Sequence, residues 1–205
     1  MFSFRKPSAA AAIRFLAEQA RLDLTYSAVG ATEGTPPVGY IVDHTRIQLG
    51  QGEQVYEAAK QAIRRWDHFR LGWVESCPND IPIQTGQVVG VIARTFGLCC
   101  LNACRIISVF DEARATHRFG FVYGTLPGHV ESGEERFQIE WDQNTDCVWY
   151  DILAFSRPNH FLTRLGYPLV RVTQKRFARD SAKSMFRAVS PDEPMPEIHQ
   201  IATRS

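Results

Sequence analysis

Between His117 and Trp141 apolar and polar side chains alternate with a period of two, and this alternation restricts the fold more than any other feature of the chain. Phe119, Phe121, Tyr123 and Thr125 share one parity. Further on, Phe137, Ile139 and Trp141 share theirs with Glu135, while Glu134, Arg136, Gln138 and Glu140 take the other. Strands of this pattern belong in an antiparallel sheet with one face on a core and a charged face towards water.

Comparable runs lie near 72–76, 86–95, 103–110 and 146–156, with a short strand at Arg46–Leu49. Turn residues such as Pro127-Gly128 and Asp142-Gln143-Asn144 separate several of them, which predicts an antiparallel meander. The run at 146–156 is apolar on both parities: Cys147, Trp149, Leu153 and Phe155 against Val148, Tyr150, Ile152 and Ala154. Such a strand is central and covered by a helix. Asp151 shares parity with Trp149 and is a candidate enclosed charge.

Helical spacing brackets the strands. Pro7 suits a first helical position, and Ile13, Leu16, Ala20 and Leu24 predict a helix over 8–22. Tyr56, Ala59, Ile63 and Trp66 mark a second, from Glu53 to near Phe69. A long basic segment from His160 to Val189 carries Leu162, Leu165, Leu169 and Val172 at intervals of three and four, and Pro168 predicts a break near Gly166. From Pro191, three prolines in six residues predict a frayed tail. The expectation is one α+β domain over 1–190, a curved antiparallel sheet around a long C-terminal helix with an extra N-terminal helix, and a flexible tail over 191–205.

Composition narrows the classes of function. The 205 residues are 44% hydrophobic, enough for one sizeable core, and 23 basic against 22 acidic residues leave a net charge of +1. That balance offers nucleic acid no electrostatic footprint. Five cysteines without regular spacing point to reduced thiols in a cytoplasmic protein, and Cys99, Cys100 and Cys104 lack zinc-ligand spacing. No apolar run approaches the roughly 20 residues of a membrane-spanning helix. The N-terminal Arg5, Lys6 and four alanines resemble a leader, but Arg14 interrupts the run, and the domain's own first helix is the preferred reading.

The most distinctive stretch is Gly124-Thr125-Leu126-Pro127-Gly128-His129, followed by Gly133-Glu134-Glu135. It reads as a tight, specified turn. His129 stands on it and either anchors backbone groups or pairs with Glu135 as an acid–base couple. Glu135 on an apolar face is either a wet strand end or part of a site. The aromatics Phe119, Phe121, Tyr123, Phe137, Trp141 and Tyr150 either fill the core or line a cavity between sheet and helix. Arg46 (beside Asp43 and His44), Ser156 and Arg157 are polar candidates for the same ligand site. The basic run Lys175, Arg176, Arg179, Lys183 and Arg187 is either a solvated helix face or a contact for acidic membrane. No nucleophile elbow, phosphate loop or dinucleotide fingerprint occurs, so no cofactor or metal is expected.

Four blocks, "GYIVDHTRIQLGQGEQVYEAAKQAIRRWDHF", "FGFVYGTLPGHVESGEERF", "VWYDILAFSRPNHFLTRLGYPLVR" and "QKRFARDSAKSM", resemble the domain-of-unknown-function family numbered 1990, over about Tyr26 to Val189. The resemblance implies the birch-pollen-allergen-like, START-type helix-grip superfamily: a curved sheet around a C-terminal helix with a cavity between them. Members mostly bind lipids, hormones or other hydrophobic molecules, and a minority are enzymes. Three functions follow as expectations: binding of a hydrophobic or amphipathic small molecule, catalysis by His129 and Glu135 at the cavity mouth, and membrane-surface association.

Overall fold

The computed structural model describes residues 2–79, 81–159 and 167–201. Helix α1 (Ala9–Gln19) follows strand β1 (Phe2–Ser3); Ser8 is its N-cap, its side chain accepting from Ala11 N–H, so Pro7 precedes the cap and does not hold the first helical position. Strand β2 (Ile41–Gln51) leads directly into α2 (Gly52–Arg64). Strands β3 (Val74–Cys77), β4 (Val88–Thr95), β5 (Leu98–Glu112), β6 (Thr116–Thr125), β7 (Glu131–Asp142) and β8 (Cys147–Pro158) form the expected antiparallel meander. Helix α3 (Tyr167–Val189) follows, then β9 (His199–Ile201).

The sheet order is β3-β4-β5-β6-β7-β8-β2-β9, with β1 on β5. This curved sheet wraps α3, the helix-grip architecture. Helices α2 and α3 cover the concave face, where Tyr150 and Ser181 hydroxyls meet at 2.9 Å. Helix α1 packs on the opposite, convex face through Ala12 and Leu16 against Ile92, Leu101 and Ala103. Ile13, expected inward, is exposed, because the sheet-facing stripe is Ala12, Phe15, Leu16 and Gln19.

Three further expectations change. Helix α3 begins at Tyr167, with Pro168 in its first turn where no ladder donor is lost; Leu162 and Leu165 lie outside the described residues. Leu169 and Val172 are not a buried stripe, being 53% and 59% exposed; Ala182, Met185 and Phe186 are the helix's buried apolar residues. His199–Ile201, in the stretch expected as a tail, pairs with His44–Arg46 at the sheet edge.

The convex face of β7 is the largest correction. Glu134 and Gln138 do not face water: they are 3% and 1% exposed. The segment from Leu24 to Tyr40 crosses that face, with Tyr26 and Tyr40 set edge-on against Phe155. Glu134 anchors it by accepting from Tyr26 OH (2.8 Å), Gly30 N (2.7 Å), Thr32 N (2.9 Å) and Thr32 Oγ1 (2.6 Å). A buried carboxylate with four donors is satisfied. Gly124 makes the closure feasible, since a Cβ there would lie 2.2 Å from the Tyr26 hydroxyl.

Candidate functional site

Inward residues of four adjacent strands line up in cross-strand rows. Phe119, Ile139, Tyr150 and Ile47 form one row, and Phe121, Phe137, Ile152 and Thr45 the next. The third row is Tyr123, Glu135, Ala154 and Asp43. Beyond it stand Thr125, Gly133, Ser156 and Glu131. Along every strand the inward face thus passes from large and apolar to small and polar.

At the apolar end α2 and the turn Asp67–Phe69 close the space. Trp66, Phe69, Phe121 and Phe137 interlock with ring centroids 5.2–5.5 Å apart. At the polar end the first turns of α3 stand off the sheet and leave a cavity of about 560 Å3. Its wall is mostly apolar, including Phe69, Trp73, Val91, Ile152 and Phe177, with Glu131, Glu135 and Asp43 set into it. Small-molecule sites run roughly 300–1,000 Å3 with few, placed polar groups.

The carboxyls have unequal surroundings. Glu131, 8% exposed, accepts from Gln174 Nε2 at 2.7 and 2.8 Å and from Ser156 Oγ at 3.2 Å. Burial pushes it up to about 7, with Asp43 adding to the rise while its hydrogen bonds and Arg171 oppose it. Glu135 Oε2 accepts from Tyr123 OH at 2.6 Å. Burial, then the charges of Glu131 and Asp43, raise it to about 8 against the Tyr123 hydrogen bond. Among the described residues Glu135 Oε1 has no hydrogen-bond partner, yet it is not a sealed-off atom, so it opens on the cavity. Asp43 is held by both terminal nitrogens of Arg171.

The sequence-derived candidates divide among three places. Tyr123, Glu135, His129 and Ser156 line the cavity. Phe119, Phe121, Phe137, Trp141 and Tyr150 do not: they pack into the closed end, so the stripe is core rather than ligand wall. Arg46 and Arg157 sit on the convex face, because β2 and β8 parity turns them away from the cavity. Arg157 lies 4.6 Å over the Tyr40 ring, and Arg46 bonds Glu140 at 2.5 Å and Asp151 at 3.2 Å.

Asp151 is the enclosed charge its parity suggested, 1% exposed. Burial alone would raise it, but the hydrogen bond from His44 (2.6 Å) and the Arg136 guanidinium (3.0 Å) hold it below the usual carboxylate range. It closes a convex-face ion cluster remote from the cavity lining.

His129 and Glu135 share the cavity wall, but among the described residues no hydrogen bond joins them. His129 Nδ1 accepts from Glu131 N–H at 2.9 Å, the turn-anchoring alternative, and burial lowers the ring to about 4. Gly128 N–H, on the same turn, donates to Gln19 Oε1 at 2.6 Å and ties the turn to α1. Tyr123 replaces His129 as Glu135's partner. Glu131 and Gln174 were missed, and Asp43 was noted only as a neighbour of Arg46. Glu131 and Asp43 share parity with recognised inward residues but fell in stretches read as turn or loop. Gln174 carries no sequence signal of its own.

On the basic helix, Arg176 lies 4.2 Å over Trp73 and bonds Asp180. Among the described residues no helix is long and apolar enough to cross a membrane.

Comparison with known proteins places this geometry. Residues 25–184 match the family model described as "Domain of unknown function (DUF1990)". A UPF0548 protein of Dictyostelium discoideum is 35% identical over 94% of this chain and 98% of its own length. The UPF0548 protein At2g17695 of Arabidopsis thaliana is 37% identical over 74% of this chain and 75% of its own. Among solved structures, a conserved protein from Geobacillus kaustophilus superposes with a TM-score of 0.50 at 9% identity, covering 78% of this chain and 99% of that one, a likeness of fold alone.

Proposed function

This chain belongs to the DUF1990 family, and from that premise we propose that it is a binding protein for an amphipathic small molecule held between the sheet and α3. The single observation behind this reading is the change of character along one concave face. Four strands that carry large apolar residues at one end switch together to Thr125, Glu135, Ala154 and Asp43 at the other, over a cavity of about 560 Å3. Apolar side chains of the size found at the closed end would fill that space and stabilise the fold further. The open end forgoes that gain, as a ligand site does.

Native mass spectrometry of the purified chain is expected to find a co-purifying small molecule. Ala154→Leu, which places bulk between Glu135 and Asp43, is expected to abolish that adduct with stability changed by less than about 1.5 kcal/mol. An adduct retained in full by Ala154→Leu would place the ligand elsewhere.

Acid–base chemistry is the second reading, and the Tyr123–Glu135 contact favours it. A carboxyl titrating at about 8 beside a phenol 2.6 Å away suits proton transfer near neutrality. A co-purifying molecule that the protein converts, with Tyr123→Phe slowing the conversion by roughly 10²-fold or more, would support it.

A further inference from the structure

We propose that the ligand of this cavity carries a cationic amine, which Glu135 Oε1 and Glu131 bind while its apolar remainder lies against Phe69 and Phe177. The inference rests on the cavity being a ligand site and adds the chemical class of what fills it.

The wall is one-sided in charge. Among the described lining residues four are carboxylic acids, Asp43, Glu131, Glu134 and Glu135, the carboxylate of Glu134 being taken up by Tyr26, Gly30 and Thr32 on the convex face, and none is lysine or arginine. Arg171, the cation beside them, is engaged with Asp43 and with Gln174 Oε1 at 2.7 Å. A fatty acid or lipid phosphate would add a negative charge that raises the cost of ionising these acids further, without a lysine or arginine among the described lining residues to meet it, an effect strengthened by the apolar surroundings. A metal ion fits no better: among the described residues no group of three histidine, cysteine or acidic side chains is placed to hold one. An ammonium group answers both conditions. It donates three hydrogen bonds, and Glu135 Oε1 is an acceptor left open in the cavity wall.

The groups facing this carboxyl agree. On β6 and β7 they are Tyr123 and Glu131, on β5 the thiol of Cys104, on β2 Asp43 with Arg171 of α3, and on β8 Tyr150. On the turn before β7, the His129 ring is kept neutral near pH 7 by its burial. Without a ligand, protons neutralise Glu135 and much of Glu131 near pH 7. An amine displaces those protons and takes over their role, so its binding is linked to proton release.

Calorimetric titration of the purified full chain with decylamine, decanol and decanoate separates the charge from the chain, since the three share one alkyl tail. At pH 7 decylamine is expected to bind at least about tenfold more tightly than decanol, with decanoate undetected, because a hydrogen bond to a charged group contributes more than a neutral one. Repeating the titration in buffers of different ionisation enthalpy is expected to reveal release of about one proton per amine, vanishing above pH 9. Glu135→Gln, which keeps the side chain's shape, is expected to lose the amine preference and keep decanol binding. Decanol or decanoate binding as tightly as the amine, or an amine preference surviving in Glu135→Gln, would overturn the amine assignment and leave the cavity reading standing. If none of the three binds, both fall.

Discussion

The two ends of the concave face are built on the same strands and solve opposite problems. At the closed end, Phe119, Ile139, Tyr150 and Ile47 meet α2 and leave no space. Two rows further on, Tyr123, Glu135, Ala154 and Asp43 face the standing-off turns of α3 across a cavity. The strands are continuous between them, so the difference lies in side-chain volume and polarity and in how closely the covering helix approaches. The closed end maximises burial and holds the sheet to its helices. The open end keeps acids in an apolar wall, at a cost in stability that only a bound partner or a proton relieves.

Mutation should therefore have opposite readouts at the two ends. Phe137→Ala, in the centre of the closed end, is expected to cost about 3–5 kcal/mol, because the surrounding rings cannot collapse into the void. Chemical denaturation would measure this, with little change expected in ligand binding per folded molecule. The cavity-filling Ala154→Leu should do the reverse. If Phe137→Ala costs under about 1 kcal/mol, the closed end is looser than its ring contacts imply, and the contrast fails.

The sequence made one end far more legible than the other. Period-two parity identified Phe119, Phe121, Phe137 and Ile139 as inward, and their burial follows from that alone. It also singled out Glu135 and Asp151, since a charge on an apolar parity is rare enough to notice. Parity could not say which face of β8 looks at the cavity, because both of its faces are covered. Asp151 thus fell to the convex ion cluster and Glu135 to the cavity. Nor could it foresee that Leu24–Tyr40 would cross β7, since Glu134, Arg136, Gln138 and Glu140 read as an ordinary solvent face. That covering depends on Tyr26, Gly30 and Thr32 finding Glu134 across about a hundred residues, a long-range satisfaction with no local signature. The break expected near Gly166 falls beside residues outside the described ones, and Pro168 itself stands in the first turn of α3, where a proline removes no ladder donor.

The open end should also dominate the alkaline half of the pH–stability curve. Glu135 and Glu131 titrate at about 8 and about 7 in the fold against 4.5 when unfolded. The native state therefore holds more protons than the unfolded state between those values. Stability is full below about pH 4.5 as far as these groups are concerned, and it is lost as pH rises through 7 and 8. Glu135→Gln removes the larger share. It is expected to raise stability at pH 8.5 by on the order of 2–4 kcal/mol relative to wild type while changing little at pH 5. Melting temperatures across pH 5–9 would measure it. Parallel curves for the two proteins would mean that Glu135 is not the proton carrier.

Among the described residues the closed end contains a buried polar ring with no hydrogen-bond partner, and it gives the smallest and most discriminating test. His68 is fully buried against Trp66, Phe69, Phe121 and Phe137, stacked 5.5 Å from Trp66 at 14°, and neither ring nitrogen has a hydrogen-bond partner. Burial lowers it to about 3, so the fold holds it neutral where the unfolded chain would charge it. Its sign is opposite to that of Glu135: the unfolded state takes the extra proton, and stability falls as pH drops from 6.5 towards 3. His68→Phe keeps a ring on Trp66 and removes two unsatisfied nitrogens for one added ring atom. It is expected to stabilise by about 1 kcal/mol at pH 7, and by more at pH 5, where the wild-type histidine loses ground. Denaturant midpoints at the two pH values would measure the difference. An equal gain at both would trace it to packing and not to proton binding. A loss at both would mean that the site is filled so tightly that one ring atom outweighs two unpaired nitrogens, which would sharpen the contrast with the cavity two rows away.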